Sequence, residues 1–284
     1  MHGILHILEH TLLETVRLIP FLFITYLIME YIEHKTSNKV KETIQKSGKF
    51  GPVLGAVAGI FPQCGFSVSA TNLYAARVIT LGTLISVYLA TSDEMLPILL
   101  TEAVPVTTIL MILGLKLIIG MIAGLIIDTV IRMTKKEHIE EQKIEELCEH
   151  EHCHCEKSVV ASAIKHTLNI IIFIFFITLI INGIIEIIGE ETIANFVSGN
   201  IILGPLVAGI IGLIPNCASS VILTELFIEN VISMPILISG VAVNAGVGLL
   251  VLLKTNKNIK ENLKIVSLLY AIGVFSGVIL QVIL

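Results

Sequence analysis

The chain has 284 residues, 55% of them hydrophobic and only 14% charged, with a formal net charge of −5. Soluble domains carry about 25% charged residues, so this composition and a mean hydropathy of +0.92 exclude an ordinary water-soluble globule. The lysines fall in loops without interleaved aromatics, which excludes a nucleic-acid-binding face.

Runs of about 20 mostly apolar residues are long enough to cross a bilayer. They occur near 11–32, 79–101, 107–131, 167–188, 234–253 and 265–284. Two further apolar stretches, 51–75 and 204–228, carry a proline in the middle. No cleaved signal peptide is expected. The first run has Glu14 and Arg17 in its opening turns, lacks a basic start and ends in no small-residue cleavage site.

Sliding the sequence against itself by 153 positions aligns its two ends. Gly51-Pro52 meets Gly204-Pro205, Pro62-Gln63-Cys64 meets Pro215-Asn216-Cys217, Ser67-Val68 meets Ser220-Val221, and Gly120 and Gly124 meet Gly273 and Gly277. Apolar coincidences are cheap in such a chain. Shared Pro, Cys, Ser and Gly are not, and they mark an internal repeat. Cytoplasmic loops gather Lys and Arg. The loop after the first run holds Lys35, Lys39, Lys41, Lys46 and Lys49, whereas its counterpart holds Glu186, Glu190 and Glu191. Later the asymmetry reverses: 101–107 has Glu102, and its counterpart carries Lys254, Lys257, Lys260 and Lys264. Equivalent loops therefore lie on opposite sides. The expected fold is an all-α polytopic membrane protein of two inverted repeats, 1–132 and 159–284, joined by a cytoplasmic linker at 133–158, with both termini outside. Of the 18 Lys and Arg, only Arg17 and Lys116 fall away from the inner side.

Each arm of the Pro-Cys stretches spans roughly half the hydrocarbon core. Residues 51–76 and 204–229 are therefore read as broken hairpins with their tips near mid-membrane. Each half is then one helix, one hairpin and two helices, about ten membrane segments in all. Irregular backbone at that depth lines a cavity or is buried in protein, and facing broken segments build the substrate sites of many secondary transporters. The tips offer Pro62, Gln63, Cys64 and Ser67, with Pro215, Asn216, Cys217 and Ser220. Their thiols favour thiophilic metals and metalloids over Mg or Ca.

Asp93 and Glu94 interrupt an apolar run. Charged groups at membrane depth are functional candidates, here for binding a cation or carrying a proton. Their repeat counterparts are Gly246 and Val247, while Asn244 matches Thr91 and Glu225 matches Asn72. Glu225, Asn72 and Asn244 join the candidates for coupling or cation binding. Lys116 is expected to snorkel to an interface. The linker run Cys148, His150, His152, Cys153, His154 and Cys155 suits a soft or borderline cation as a flexible chelating tract.

The doubled Pro-x-Cys motif, the Thr91-Ser92-Asp93-Glu94 run and the His/Cys-rich middle linker together resemble the ten-segment heavy-metal exporters, a family described variously as arsenic efflux proteins and manganese transporters. The resemblance covers nearly the whole chain and implies export of a metal or metalloid from the cytoplasm. No resident cofactor is expected. The partners expected are the lipid bilayer of the cell (inner) membrane and the metal or metalloid ion, with a homodimer as an option and nucleic acid not expected. An enzyme is not expected either. No G-x-x-x-x-G-K-[ST] occurs, and no membrane run contains H-E-x-x-H or C-x-x-C. The alternatives are a metal sensor, a membrane protein that transports nothing, and a transporter of an organic solute.

Overall fold

The computed structural model describes residues 8, 11–13, 15–20, 22–24, 26–27, 50–62, 64–134, 159–188 and 203–283. All regular structure among them is helical. After a helical stretch within 11–27 come α1 (Gly51–Gly59), α2 (Cys64–Ala75), α3 (Leu81–Ala90), α4 (Met95–Thr101) and α5 (Val106–Thr134). Then follow α6 (Val159–Ile188), α7 (Gly204–Gly212), α8 (Ala218–Ile228), α9 (Met234–Val243), α10 (Gly248–Thr255) and α11 (Ile259–Ile283). Among the described residues, five stretches are long and apolar enough to cross a membrane: Leu81–Thr101, Val106–Thr134, Ala163–Gly183, Met234–Thr255 and Ile259–Ile283.

Two of these spans are broken. Leu81–Thr101 unwinds between α3 and α4, and Met234–Thr255 unwinds between α9 and α10. The apolar runs alone predict whole helices here, with the charged pair interrupting only the first. The broken spans are also the most enclosed, 72% and 94% buried over their most apolar windows, against 24–28% for the other three. The other three turn apolar side chains outward, among them Leu110, Ile122, Phe176 and Phe275, as helices facing lipid do.

Small residues set the chain directions. A Cβ on Gly51 would meet Thr83, one on Gly55 would meet Val87, and one on Gly59 would meet Ala90, so α1 and α3 run the same way. If α2 continued the line of α1, residues 76–80 would have to recross roughly 30 Å, which five residues at about 3.5 Å each cannot do. The chain therefore doubles back at Pro62, as the Pro-Cys hairpin requires. Helix α5 packs antiparallel on α3, with Gly120 against the Ser86 carbonyl and Gly124 against the Gly82 carbonyl. The same contacts recur 153 residues on: Gly212 lies against Gly240 and Val243, Gly273 against the Ser239 carbonyl, and Gly277 against the Pro235 carbonyl.

The halves interlock. Gly248 packs on Ser67, and the Thr71 hydroxyl reaches the Gly248 carbonyl at 3.2 Å. Further along, Arg77 makes a bidentate pair with Glu261, at 2.6 and 2.8 Å. Hydrogen bonding to that carboxylate raises the Arg77 pKa. Contacts from 67 with 248 through to 77 with 261 make α2 and α10 run the same way. Because α2 runs against α3, the span that contains α10 runs against α3 too.

The α3–α5 seam should be the least tolerant of added volume. A Cβ on Gly124 would meet the Ser86 hydroxyl, the Gly82 carbonyl and Pro52. Gly124→Val should lower stability by about 1–3 kcal/mol, measured as thermal unfolding in detergent. Gly114 has open space around its would-be Cβ, and Gly114→Ala should leave the midpoint unchanged.

Candidate functional site

The two hairpin tips and the first helix break converge at one point. Cys64 opens α2 at the first tip, and Cys217 caps the start of α8 at the second. Their sulfurs stand 2.7 Å apart as a contact between thiols not joined in a disulfide. Asp93, held at φ +23° in the break between α3 and α4, brings a carboxylate oxygen so close that the three ligand atoms lie within 4.8 Å of one another. Asp93 is 3% exposed, and among the described residues its carboxylate has no side-chain donor beyond the Cys64 thiol beside it. An ionised carboxylate in a low-dielectric interior costs several kcal/mol unless a cation balances it, a role open to the Lys116 ammonium and to a bound ion.

Local structure holds the tips. The Ser67 hydroxyl donates to the Cys64 carbonyl at 2.8 Å, and the Ser220 hydroxyl to the Cys217 carbonyl at 2.7 Å. Both serines, candidate binding groups in the sequence, therefore serve the first turns of α2 and α8. Asn216 donates its amide to Asn182 of α6, which in turn donates to Thr11 at 2.9 Å. The other amide atom of Asn216, its oxygen, is buried without a partner among the described residues. Pro215 is half-buried at the second tip. Gln63, at the first tip, lies outside the described residues, as do Cys148, His150, His152, Cys153, His154 and Cys155 of the linker.

Position 246, the repeat counterpart of Asp93, lies directly against it. Gly246 adopts φ +55°, and a Cβ there would run into the Asp93 carboxylate. Asn244 accepts from the Gly246 amide at 2.7 Å and so shapes the second break. Asn72 lies further along α2, where its oxygen accepts from the Tyr26 hydroxyl at 3.3 Å. Glu225 is exposed on α8 and does not line the cavity at the site.

A cavity reaches the cluster, lined by Arg17, Pro62, Cys64, Asp93, Glu94 and Cys217 among others. At its rim Arg17 and Glu94 meet at 3.4 Å, their side chains 63% and 29% exposed, a contact of the kind worth about 0–1 kcal/mol. At the opposite end of the α2–α10 pair stands the better-formed Arg77–Glu261 bridge.

Lys116 does not snorkel, and here the structure corrects the expectation. It is fully buried, 0% exposed, and its ammonium donates to the Thr91 carbonyl and, at 2.8 Å, to the Val241 carbonyl. Its aliphatic stem does not reach toward an interface because both breaks offer carbonyls deep inside. Sequence reasoning misses this because backbone acceptors leave no residue signature.

The family model described as "Putative, 10TM heavy-metal exporter" matches residues 14–190, more than half of the chain. The chain belongs to this family. Its match takes in the first hairpin, the Asp93 break and α5, and so includes one side of the cluster. No curated protein and no solved structure matches the chain. Multi-pass membrane character and a heavy-metal exporter family agree with the apolar spans and the sulfur-carboxylate cluster.

The geometry makes a covalent prediction. Mild oxidation of a Cys148→Ser/Cys153→Ser/Cys155→Ser variant should join Cys64 to Cys217 within one chain. Peptide mass spectrometry should recover the linked pair in high yield, and recovery of both peptides unlinked would contradict the meeting of the tips.

Proposed function

We propose that the protein is a permease, and not an enzyme, that exports a thiophilic metal or metalloid ion by alternating access, with Cys64, Cys217 and Asp93 as the substrate ligands. The observation that carries this reading is the buried Asp93 carboxylate, with an oxygen within 4.8 Å of the Cys64 and Cys217 sulfurs. Two sulfurs and one oxygen suit soft and borderline ions such as Cd, Zn, Cu(I) or arsenite. Mn prefers oxygen donors, and here it would find only Asp93 and the neighbouring Glu94. Two thiolates sharing one ion at about 2.3 Å each stand roughly 3.8 Å apart, so loading the site parts the tips by about an ångström.

Alternating access rests on two inverted halves, 1–132 and 159–284, about ten segments if each hairpin arm is counted. Contacts that recur at a spacing of 153 residues, and an α3 that runs against the span of α9 and α10, support this reading. The lysine-rich loops at 35–49 and 254–264 favour a cytoplasmic position, which puts 133–158 inside and both termini outside the cell membrane. In that frame the cavity beside Arg17 opens outward, and the Arg77–Glu261 bridge closes the inner side. Glu94, at the cavity rim, is the remaining candidate for coupling export to proton entry.

Metal-sensitive cells lacking their own exporters should test the reading when they express this chain. Their content of Mn, Zn, Cd, Cu and arsenic is read by elemental analysis. One thiophilic element should fall several-fold, and the fall should vanish in Cys64→Ser/Cys217→Ser and drop at least tenfold in rate in Asp93→Asn. Unchanged contents of every element would sink the proposal. In the outward conformation, Cys64 of the variant lacking the three linker cysteines should react with an impermeant thiol reagent from outside. Glu261→Gln should raise its labelling from inside.

A further inference from the structure

Lys116 lies midway along α5, a helix that turns most of its surface outward, yet its own side chain is wholly enclosed. A charge at membrane depth persists only where something holds it. Here the holders are two carbonyls, one from each half of the chain. Thr91 is the residue that ends α3, and Val241 lies in the last turn of α9. Carbonyls at a helix C-terminus lack an intrahelical partner and carry the negative end of the helix dipole, so two such ends facing one point make a cation site. Unwound segments and half-helix C-termini coordinate monovalent cations elsewhere in membrane proteins for the same reason.

The repeat supplies a control. The counterpart of Lys116 is Leu269 on α11, which is also 0% exposed and packs among apolar side chains. That helix position therefore folds with an aliphatic residue, and the ammonium at 116 is not a requirement of the helix. Around it α1, α3 and α9 carry no charged side chain. The charged groups nearby are Asp93 and Glu94 of the break that Thr91 opens, with the Cys64 thiol beside Asp93.

We infer that the carbonyls of Thr91 and Val241 form a monovalent-cation site that spans both helix breaks, and that the Lys116 ammonium fills it as a tethered ion. The tethered charge fastens the break that positions Asp93 to the break that positions Gly246. It does the work a bound Na⁺ or small ammonium ion would do without the chain having to capture one. Lys116 is in this sense a positioning residue for the substrate ligands. The inference deepens the export reading and, as to what the fastening serves, rests on it.

Removing the tether should open the site to free cations. Purified Lys116→Ala in detergent should gain about 2–4 °C in Tm from added methylammonium or Na⁺, while the wild type is unmoved. Lys116→Leu, which copies the side chain of Leu269, should fold and respond to neither ion. Export by Lys116→Ala should fall at least tenfold and return in part with methylammonium. Its Cd²⁺ affinity should fall too and return with methylammonium, because the ligands remain and only their placement is lost. Absence of any cation-dependent shift in Lys116→Ala beside a folded Lys116→Leu would overturn the site, as would wild-type export by Lys116→Leu. A Tm shift in a protein whose wild type exports no metal would instead uphold the cation site and fail the export reading.

Discussion

Breaking a helix inside a membrane exposes backbone groups where no water can serve them, and every feature near the centre of this chain answers that constraint. The spans Leu81–Thr101 and Met234–Thr255 are unwound at their middles, so each leaves carbonyls at the end of its first half. Those ends are brought together, and a single ammonium on α5 serves both. With the breaks fixed, Asp93 can stand in an irregular turn at φ +23° instead of on a helix face, and can meet the two hairpin tips.

The tips themselves are held by inexpensive local chemistry. Hydroxyls at Ser67 and Ser220 return to the carbonyls of the cysteines three residues before them, and Thr71 and Thr224 repeat the device one turn later. These bonds satisfy the hydroxyls beside the tips and leave the two sulfurs facing each other. Among the described residues, the Asn216 oxygen beside them stays without a partner. At the far end, the end of α2 is turned by Arg77 at φ 58°, a conformation that costs an ordinary residue roughly 1–2 kcal/mol. The bidentate bond to Glu261 helps to offset that cost.

Much of this is legible in the residues. Pro62, Cys64, Pro215 and Cys217 stand out because the repeat doubles them, and Asp93 stands out because a carboxylate in an apolar run has few innocent explanations. The second break is harder to read. Asn244 and Gly246 carry its geometry, but neither is charged, and their run of sequence reads as one continuous apolar span. Lys116 misleads because a lone lysine in a long helix has an easier fate at an interface. Its true partners are backbone atoms 25 and 125 residues away, which no side-chain pattern announces. Glu225, aligned with Asn72, is exposed on α8 and is not among the residues that line the cavity.

The pairing of Asp93 with Gly246 has a consequence for how such a molecule can be built. Cys64 meets its own counterpart, so the two tips remain alike. One step away, likeness ends, because two carboxylates pressed together at that depth could not both stay ionised, and a side chain of any size at 246 would strike the one that is there. Two copies of the first half paired about a two-fold axis would bring Asp93 against Asp93. A single fused chain can give the carboxylate to one side and bare backbone to the other, which a symmetric pair of identical subunits has no means of doing.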